Sequence, residues 1–309
     1  MKFMFFNNKI TCLTFALVIC LLAFTSCEDE SPNLINDEYL DIPDKHFETM
    51  LIEQGIDSDS IVNQQMLKED AEEVTHLDLN LSSHFGEIAD LAGIEGFVNL
   101  KFLSASNQEL THVDLSHNTL LDTIYLLGNR LSSIDFSNNP SLVFVDLQAN
   151  EFSSDNSIIG LSNATNLKDL DISWNYLEEF SIHNKSLEVL HMSHNDLISL
   201  DTDGAINLQH VLLTSNKLEM VDFSTNRLLE TLLISDNKLE EIDLENNTSL
   251  THLYSSSNLL TSLDVSNNQQ LIDLRIDRNP YLTCIKILAS QEIPTVSISE
   301  YQELNNECL

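Results

Sequence analysis

The chain has 309 residues, 42% of them hydrophobic, with only 7 glycines and 5 prolines, which is neither collagen-like nor the composition of a chain disordered throughout. Fourteen basic residues face 49 acidic ones, a formal net charge of −35. Such a field repels nucleic acid and anionic lipid headgroups and favours cationic partners, but it says nothing about fold.

In chain order, Lys2 and Lys9 come first, and Ile10 to Phe24 is an apolar run too short to span a bilayer. Residues 1–26 are therefore expected to be a secretory signal, and losing Lys2 and Lys9 with it takes the charge from −35 to −37. The signal ends in Phe24-Thr25-Ser26-Cys27. Small residues before a cysteine resemble the lipobox of bacterial lipoproteins, although Phe24 stands where that motif usually has Leu. The resemblance implies acylation of Cys27. Glu28-Asp29-Glu30-Ser31 follows at once, and resembles the export signal that carries lipoproteins of the Bacteroidota to the outer face of the outer membrane. The expectation is a cell-surface protein touching the membrane only through its lipid, with residues 27–41 as an acidic tether.

Next, Ile42-Pro43-Asp44 opens an expected helix through Phe47, Met50 and Leu51 that stops at Gly55, with Asp44 as N-cap. A second helix is expected from Asn63 to Glu73, so that residues 42–73 form a helical N-terminal cap. Between them, Asp57-x-Asp59 is faintly similar to an EF-hand loop, without its central Gly or closing Glu. We assign no metal ligands there.

Beyond residue 74 the chain repeats itself. Asn107, Asn129, Asn150, Asn175, Asn195, Asn216, Asn237, Asn258 and Asn279 recur at steps close to twenty-one, most with apolar residues five and three positions earlier, as in Leu170-x-Ile172. Alternate apolar residues make a short strand with one inward face. One coil cannot bury that face alone, so successive coils must stack into a solenoid. The asparagine amides can then satisfy backbone groups where the chain turns, as a ladder. Two irregularities stand out: four extra residues between Asn150 and Asn175, and Lys185 where a second-half asparagine is expected.

This pattern resembles the leucine-rich repeat family, in its short 21-residue bacterial type with nested half-repeats, over residues 74–285. The resemblance implies a right-handed β-rich coil of short parallel strands with a concave binding face. Cys12 and Cys20 leave with the signal and Cys27 takes lipid, leaving Cys284 and Cys308 in a compartment that permits a disulfide. Asn279-Pro280-Tyr281-Leu282-Thr283-Cys284 together with Cys308 resembles the C-terminal cap of related surface repeat proteins, which implies a Cys284–Cys308 bridge closing a cap over 286–309.

The two half-repeats differ. In the second half the slot between the apolar pair is nearly constant: Asp114, Asp135, Asp201, Asp222, Asp243, Asp264. Uniformity along a stack suggests a structural duty, with carboxylates bonding neighbouring polar groups; their mutual repulsion at roughly 5 Å spacing makes a cation conceivable. In the first half the outward slots vary. Phe102, Tyr125, Phe144, His191, His210, Leu212, Leu233, His252 and Tyr254 occupy them, and Trp174 lies at the edge. Aromatic and apolar residues on an outward face resemble an interface more than a solvated surface. The competing reading is cross-strand packing among themselves. No nucleophile elbow, phosphate loop or metal-ligand cluster accompanies them, so neither an enzyme nor a cofactor is expected. The expected role is binding a protein partner in adhesion or surface complex assembly. The runner-up is carbohydrate capture for nutrient uptake, with Trp174, Tyr125 and Tyr254 as stacking platforms.

Overall fold

The repeated apolar triplets fold as three-residue strands that stack in parallel. A computed structural model describes residues 38–80 and 86–308; the signal segment, Cys27 and the tether up to residue 37 lie outside the described residues. Eleven strands, from His76–Asp78 through Phe102–Ser104, Thr123–Tyr125 and onward to Asp273–Arg275 and Thr295–Ser297, form one parallel sheet in chain order. Register holds without a slip, as in His191↔Leu212↔Leu233 and Leu190↔Val211↔Leu232. The central residue of each triplet points inward: Leu103, Ile124, Val145, Leu170, Leu190, Val211, Leu232, Leu253 and Leu274 are all fully buried.

Second-half strands are shorter and interrupted. Ile134–Asp135 pairs with Ile158–Ile159, Glu179–Ser181 with Ser199–Asp201, and Leu263–Asp264 with Cys284–Lys286 and then Glu303–Asn305. The four-residue insertion near 151–166 is taken up by two 3-10 turns, Asp155–Ser157 and Leu161–Asn163. Between them Gly160 has φ +82°, and a Cβ there would lie 2.2 Å from the Ser137 nitrogen. Only glycine permits that approach.

Coils are held to one another by buried amides. The Oδ1 atoms of Asn129, Asn150, Asn175, Asn195, Asn216, Asn237, Asn258 and Asn279 accept from backbone N–H groups of the preceding coil, Leu110 through Leu260, at 3.0–3.2 Å. Their Nδ2 groups donate to carbonyls of that coil at 2.8–3.1 Å. At the first coil the ladder departs from the expected residue. Asn107 is only half-buried, with φ +55°, and Gln108 does the work: its Oε1 accepts from Ile88 N at 3.1 Å and its Nε2 donates to Leu79 O at 2.9 Å. The expected ladder was one residue out because glutamine carries the same amide. On the other half-repeat a second row, including Asn118, Asn139, Asn226, Asn247 and Asn268, donates through Nδ2 to carbonyls of the preceding coil. There Asn184, not Lys185, fills the doubtful position, bonding Leu161 O and Ala164 O.

The N-terminal cap is partly as expected. Helix Lys45–Glu53 is capped by Asp44, whose Oδ1 accepts from His46 N at 2.8 Å and Phe47 N at 3.2 Å. Its Oδ2 accepts from Ala89 N and Asp90 N, tying the cap to the first coil. Of the expected helix Asn63–Glu73 only Lys68–Glu72 is helical. Gln64 has φ +67°, and Gln65 N donates to both Asn63 Oδ1 and Glu48 Oε1, which steers the chain into strand Gln65–Leu67 instead. That strand pairs antiparallel with Tyr39–Asp41, residues expected in the tether.

The EF-hand-like stretch Asp57-x-Asp59 lies between the two cap helices. Asp59 accepts from Ile61 N and Asn63 Nδ2, making a local turn. Asp57 is buried, and burial, reinforced by the charges of Asp59, Glu48 and Asp70, pushes its carboxyl up to about 6. Since the folded value is raised, ionising Asp57 costs stability above that pH, and the cost fades as pH falls toward the ordinary carboxylate range.

At the far end Cys284 and Cys308 are bonded, Cα atoms 5.8 Å apart and 24 residues apart in sequence. Closing such a loop stabilises by roughly 3 kcal/mol. The long sheet also runs further than the repeat pattern: Thr295–Ser297 continues it within the expected C-terminal cap.

The ladder makes a sharp prediction. Asn216→Ala would leave the buried Leu197 N–H without a partner and strip donors from Met192 O and Leu213 O, costing about 2–4 kcal/mol. Gln108→Ala should cost a similar amount, and Asn107→Ala less than about 1 kcal/mol. Urea unfolding of the three variants decides it; an equal loss at Asn107 and Gln108 would contradict the assignment.

Candidate functional site

Because strands stack in register, outward residues align in two rows across the long sheet. Nine of the ten residues expected to bind ligand lie on this face, each half-buried: Phe102, Tyr125, Phe144, His191, His210, Leu212, Leu233, His252 and Tyr254. The rows differ in chemistry from one end to the other.

At the N-terminal end the aromatics form a ridge. His76 stacks on Phe102 with centroids 4.0 Å apart, Phe102 and Tyr125 lie 5.7 Å apart, and Tyr125 and Phe144 lie 4.9 Å apart. The competing expectation of cross-strand packing is thus met in part, since these rings touch one another while keeping exposed edges. His76 was not among the expected residues. It sits in the same phrase, His76-Leu77-Asp78-Leu79, ahead of the first recognised asparagine.

Next to the ridge comes a carboxylate group absent from the expected set. Asp146 is the register partner of Tyr125 on one side and Asp171 on the other, and Asp169 is the partner of Phe144. Asp146 is only 5% exposed. Burial, then the charges of Asp171 and Asp169, raises its carboxyl above the ordinary range, opposed by the N–H of Gln148 at 3.0 Å. Asp169 is raised too, mainly by burial, with the neighbouring His191 pulling the other way. Ionising these groups at neutral pH therefore costs the folded state, and protonation relieves that cost. His191 faces this group, its Nε2 3.6 Å from Asp169 Oδ1 and its Nδ1 3.9 Å from Asp171 Oδ2, and His210 lies on the neighbouring strand.

Leu212 and Leu233, register partners, make an apolar step in the middle of the sheet. The C-terminal end is satisfied internally. Tyr254 donates its hydroxyl to Asp273 Oδ2 at 2.7 Å, and the Arg275 guanidinium lies 4.2 Å over the Tyr254 ring while bonding Asp273 at 3.1 and 3.3 Å. Those bonds hold the Asp273 carboxyl low and raise the Tyr254 phenol. His252 meets Tyr254 edge-on at 6.5 Å.

Trp174 stands off the sheet, in the turn residue preceding Asn175, with φ +59° and 57% exposure. It stacks on His194 at 3.8 Å, a residue in the same turn position one coil later. The three expected sugar platforms are therefore not gathered. Tyr125 and Tyr254 are separated by six strand steps, roughly 29 Å at sheet spacing. The Tyr254 ring is covered on one face by Arg275.

The repeated aspartates of the second half-repeat have the structural duty expected of them. Asp114, Asp135, Asp222 and Asp264 each accept the backbone N–H of the serine two residues on, at 2.7–3.0 Å. Serine hydrogen bonds hold Asp114 and Asp222 below the ordinary range. Among the described residues no group of three or more His, Cys, Asp or Glu side chains is arranged to hold a metal ion. Nor is any helix there long and apolar enough to cross a membrane. Open grooves of about 310–360 Å³ lie along the second-half side, lined by residues such as His112, Asp114, Ile134 and Glu95.

No protein-family model and no curated protein sequence matches the chain. Solved structures do. Internalin C2 of Listeria monocytogenes superposes with a TM-score of 0.55 at 18% identity, over 84% of this chain and 94% of that one. A leucine-rich repeat protein of Leptospira interrogans gives 0.52 at 22% identity over 71% and 65%. The leucine-rich repeat domain in an octameric complex of Latrophilin 3, Unc5D and FLRT2 gives 0.55 at 17% identity over 71% and 76%. The fold is a leucine-rich repeat solenoid.

Proposed function

We propose that the chain is a cell-surface lipoprotein that binds a protein partner non-covalently through the outward face of its eleven-stranded sheet. One observation carries this: a single rigid face presents an aromatic ridge, a carboxylate group and an apolar leucine step in sequence, on strands fixed in register. A broad, mixed surface suits a protein interface, and preorganised strands lower the ordering cost of binding. The FLRT2 repeat domain, of similar fold, was solved in a complex with other proteins, which supports the reading. Catalysis has no part in it. The anchor rests on residues 24–31 of the sequence alone, with Cys27 carrying the lipid at the outer membrane.

Two experiments test this. Mature wild-type chain and a variant with Phe102, Tyr125, Leu212 and Leu233 changed to Ser are offered surface-protein extracts and a glycan panel, with circular dichroism confirming equal folding. A protein held by the wild type and lost by the variant is expected. Equal retention by both would move attention off this face, and a glycan lost in the same way would establish the carbohydrate reading instead. Separately, Cys27→Ala should shift the protein from the membrane fraction to the soluble one; continued membrane retention would rule out the lipid anchor.

A further inference from the structure

The sheet already contains one bound arginine, its own. At the C-terminal end Arg275 lies flat over Tyr254, 4.2 Å from the ring, and forks onto Asp273, which also takes the tyrosine hydroxyl. Ring, carboxylate and guanidinium are thus each paired with the other two.

The N-terminal end repeats the first two parts of that arrangement without the third. The Tyr125 and Phe144 rings lie 4.9 Å apart, and the next positions in register are Asp146, Asp169 and Asp171. This acid group is under stress. Asp146 is almost wholly buried against like charges, and Asp169 Oδ1 is screened from water with no hydrogen-bond donor. His191 Nε2 lies 3.6 Å from it, beyond hydrogen-bond length. Lys168, the residue before Asp169, is committed to Glu188 at 2.5 Å. Among the described residues, Arg130, Lys217, Arg275, Arg278 and Lys286 pair with other carboxylates.

We infer that this junction receives an arginine side chain of a protein partner. The inference rests on the protein-binding reading above and specifies its chemistry. A guanidinium is planar, stacks on aromatic faces and donates to two carboxylates through one fork, whereas an ammonium is a point charge that does not stack in this way. A sugar would bring rings but no charge for the aspartates. A second copy of this chain would bring a net charge of −35 against −35. The partner segment thus carries arginine beside an apolar residue that rests on the Phe102–Tyr125 ridge.

The test uses the mature, isotopically labelled protein and a blocked pentapeptide, Gly-Phe-Arg-Phe-Gly, with citrulline and lysine versions of the same length. Amide shifts are expected to concentrate on residues 123–127, 144–148 and 169–173, with affinity at least tenfold lower for citrulline and several-fold lower for lysine. Asp146→Asn combined with Asp169→Asn should abolish binding. Both changes remove charges that burial disfavours, so folding is expected to hold, checked by the thermal midpoint. Met220→Ser, at an exposed residue outside the eleven strands, should leave the peptide affinity unchanged. Shifts elsewhere, no shifts at millimolar peptide, equal binding of the citrulline version, or retention by the double variant would each overturn the inference. Equal affinity for lysine would overturn the choice of arginine. A partner protein retained by the double variant but lost by the broader surface variant would leave the protein-binding reading standing and remove this one.

Discussion

The structure depends on the buried side-chain amides that each coil sets against its neighbour. A strand of three residues makes too few backbone bonds to hold a coil in place, and the turns that join strands leave N–H and C=O groups inside a dry core. Each first-half ladder asparagine answers this by bonding three ways: it accepts from the preceding coil, donates to a carbonyl of that coil, and donates to a carbonyl three residues back in its own coil. For Asn216 these are Leu197 N, Met192 O and Leu213 O. An unpaired group in such a place costs far more than an ordinary hydrogen bond contributes, so the asparagine fixes the turn and the turn fixes the register. The residue just before it is forced to a positive φ as a result, at Ala149, Trp174, His194, Ser215 and Arg278 alike.

That constraint explains why the repeat was readable from residue order alone and why it misled locally. Periodic asparagines mark the coils, but the physical requirement is for a side-chain amide at a given place. Gln108 meets it, so counting from Asn107 put the first rung one residue out. Asn184 was overlooked in favour of Lys185 because an altered coil length shifted the count. The second cap helix was overcounted for a different reason. Helix propensity over Asn63 to Glu73 was overridden by Glu48, whose carboxylate gathers the Asn63 and Gln65 N–H groups and turns the chain outward.

The candidate face was legible in part. Its aromatic and apolar members were identified because such residues are conspicuous on an outward row. The carboxylates Asp146, Asp169 and Asp171 were not, since in so acidic a chain any aspartate reads as ordinary. Only stacking shows that these three share one spot beside the ridge, and only the structure shows Arg275 closing over Tyr254. Uniform positions hold the coils, and variable positions on the same coils carry the chemistry. Asp114 and its equivalents pair with their own backbone, while the outward first-half positions retain unpaired aromatic edges and a poorly compensated charge.

The central claim, that side-chain amides bind the coils into one unit, is tested most directly by native-state hydrogen exchange at the N–H groups the ladder accepts: Leu131, Phe152, Leu177, Leu197, Leu218 and Leu239. These amides should exchange with one common opening free energy, equal to that of global unfolding. Independent opening energies that differ from coil to coil would contradict the account.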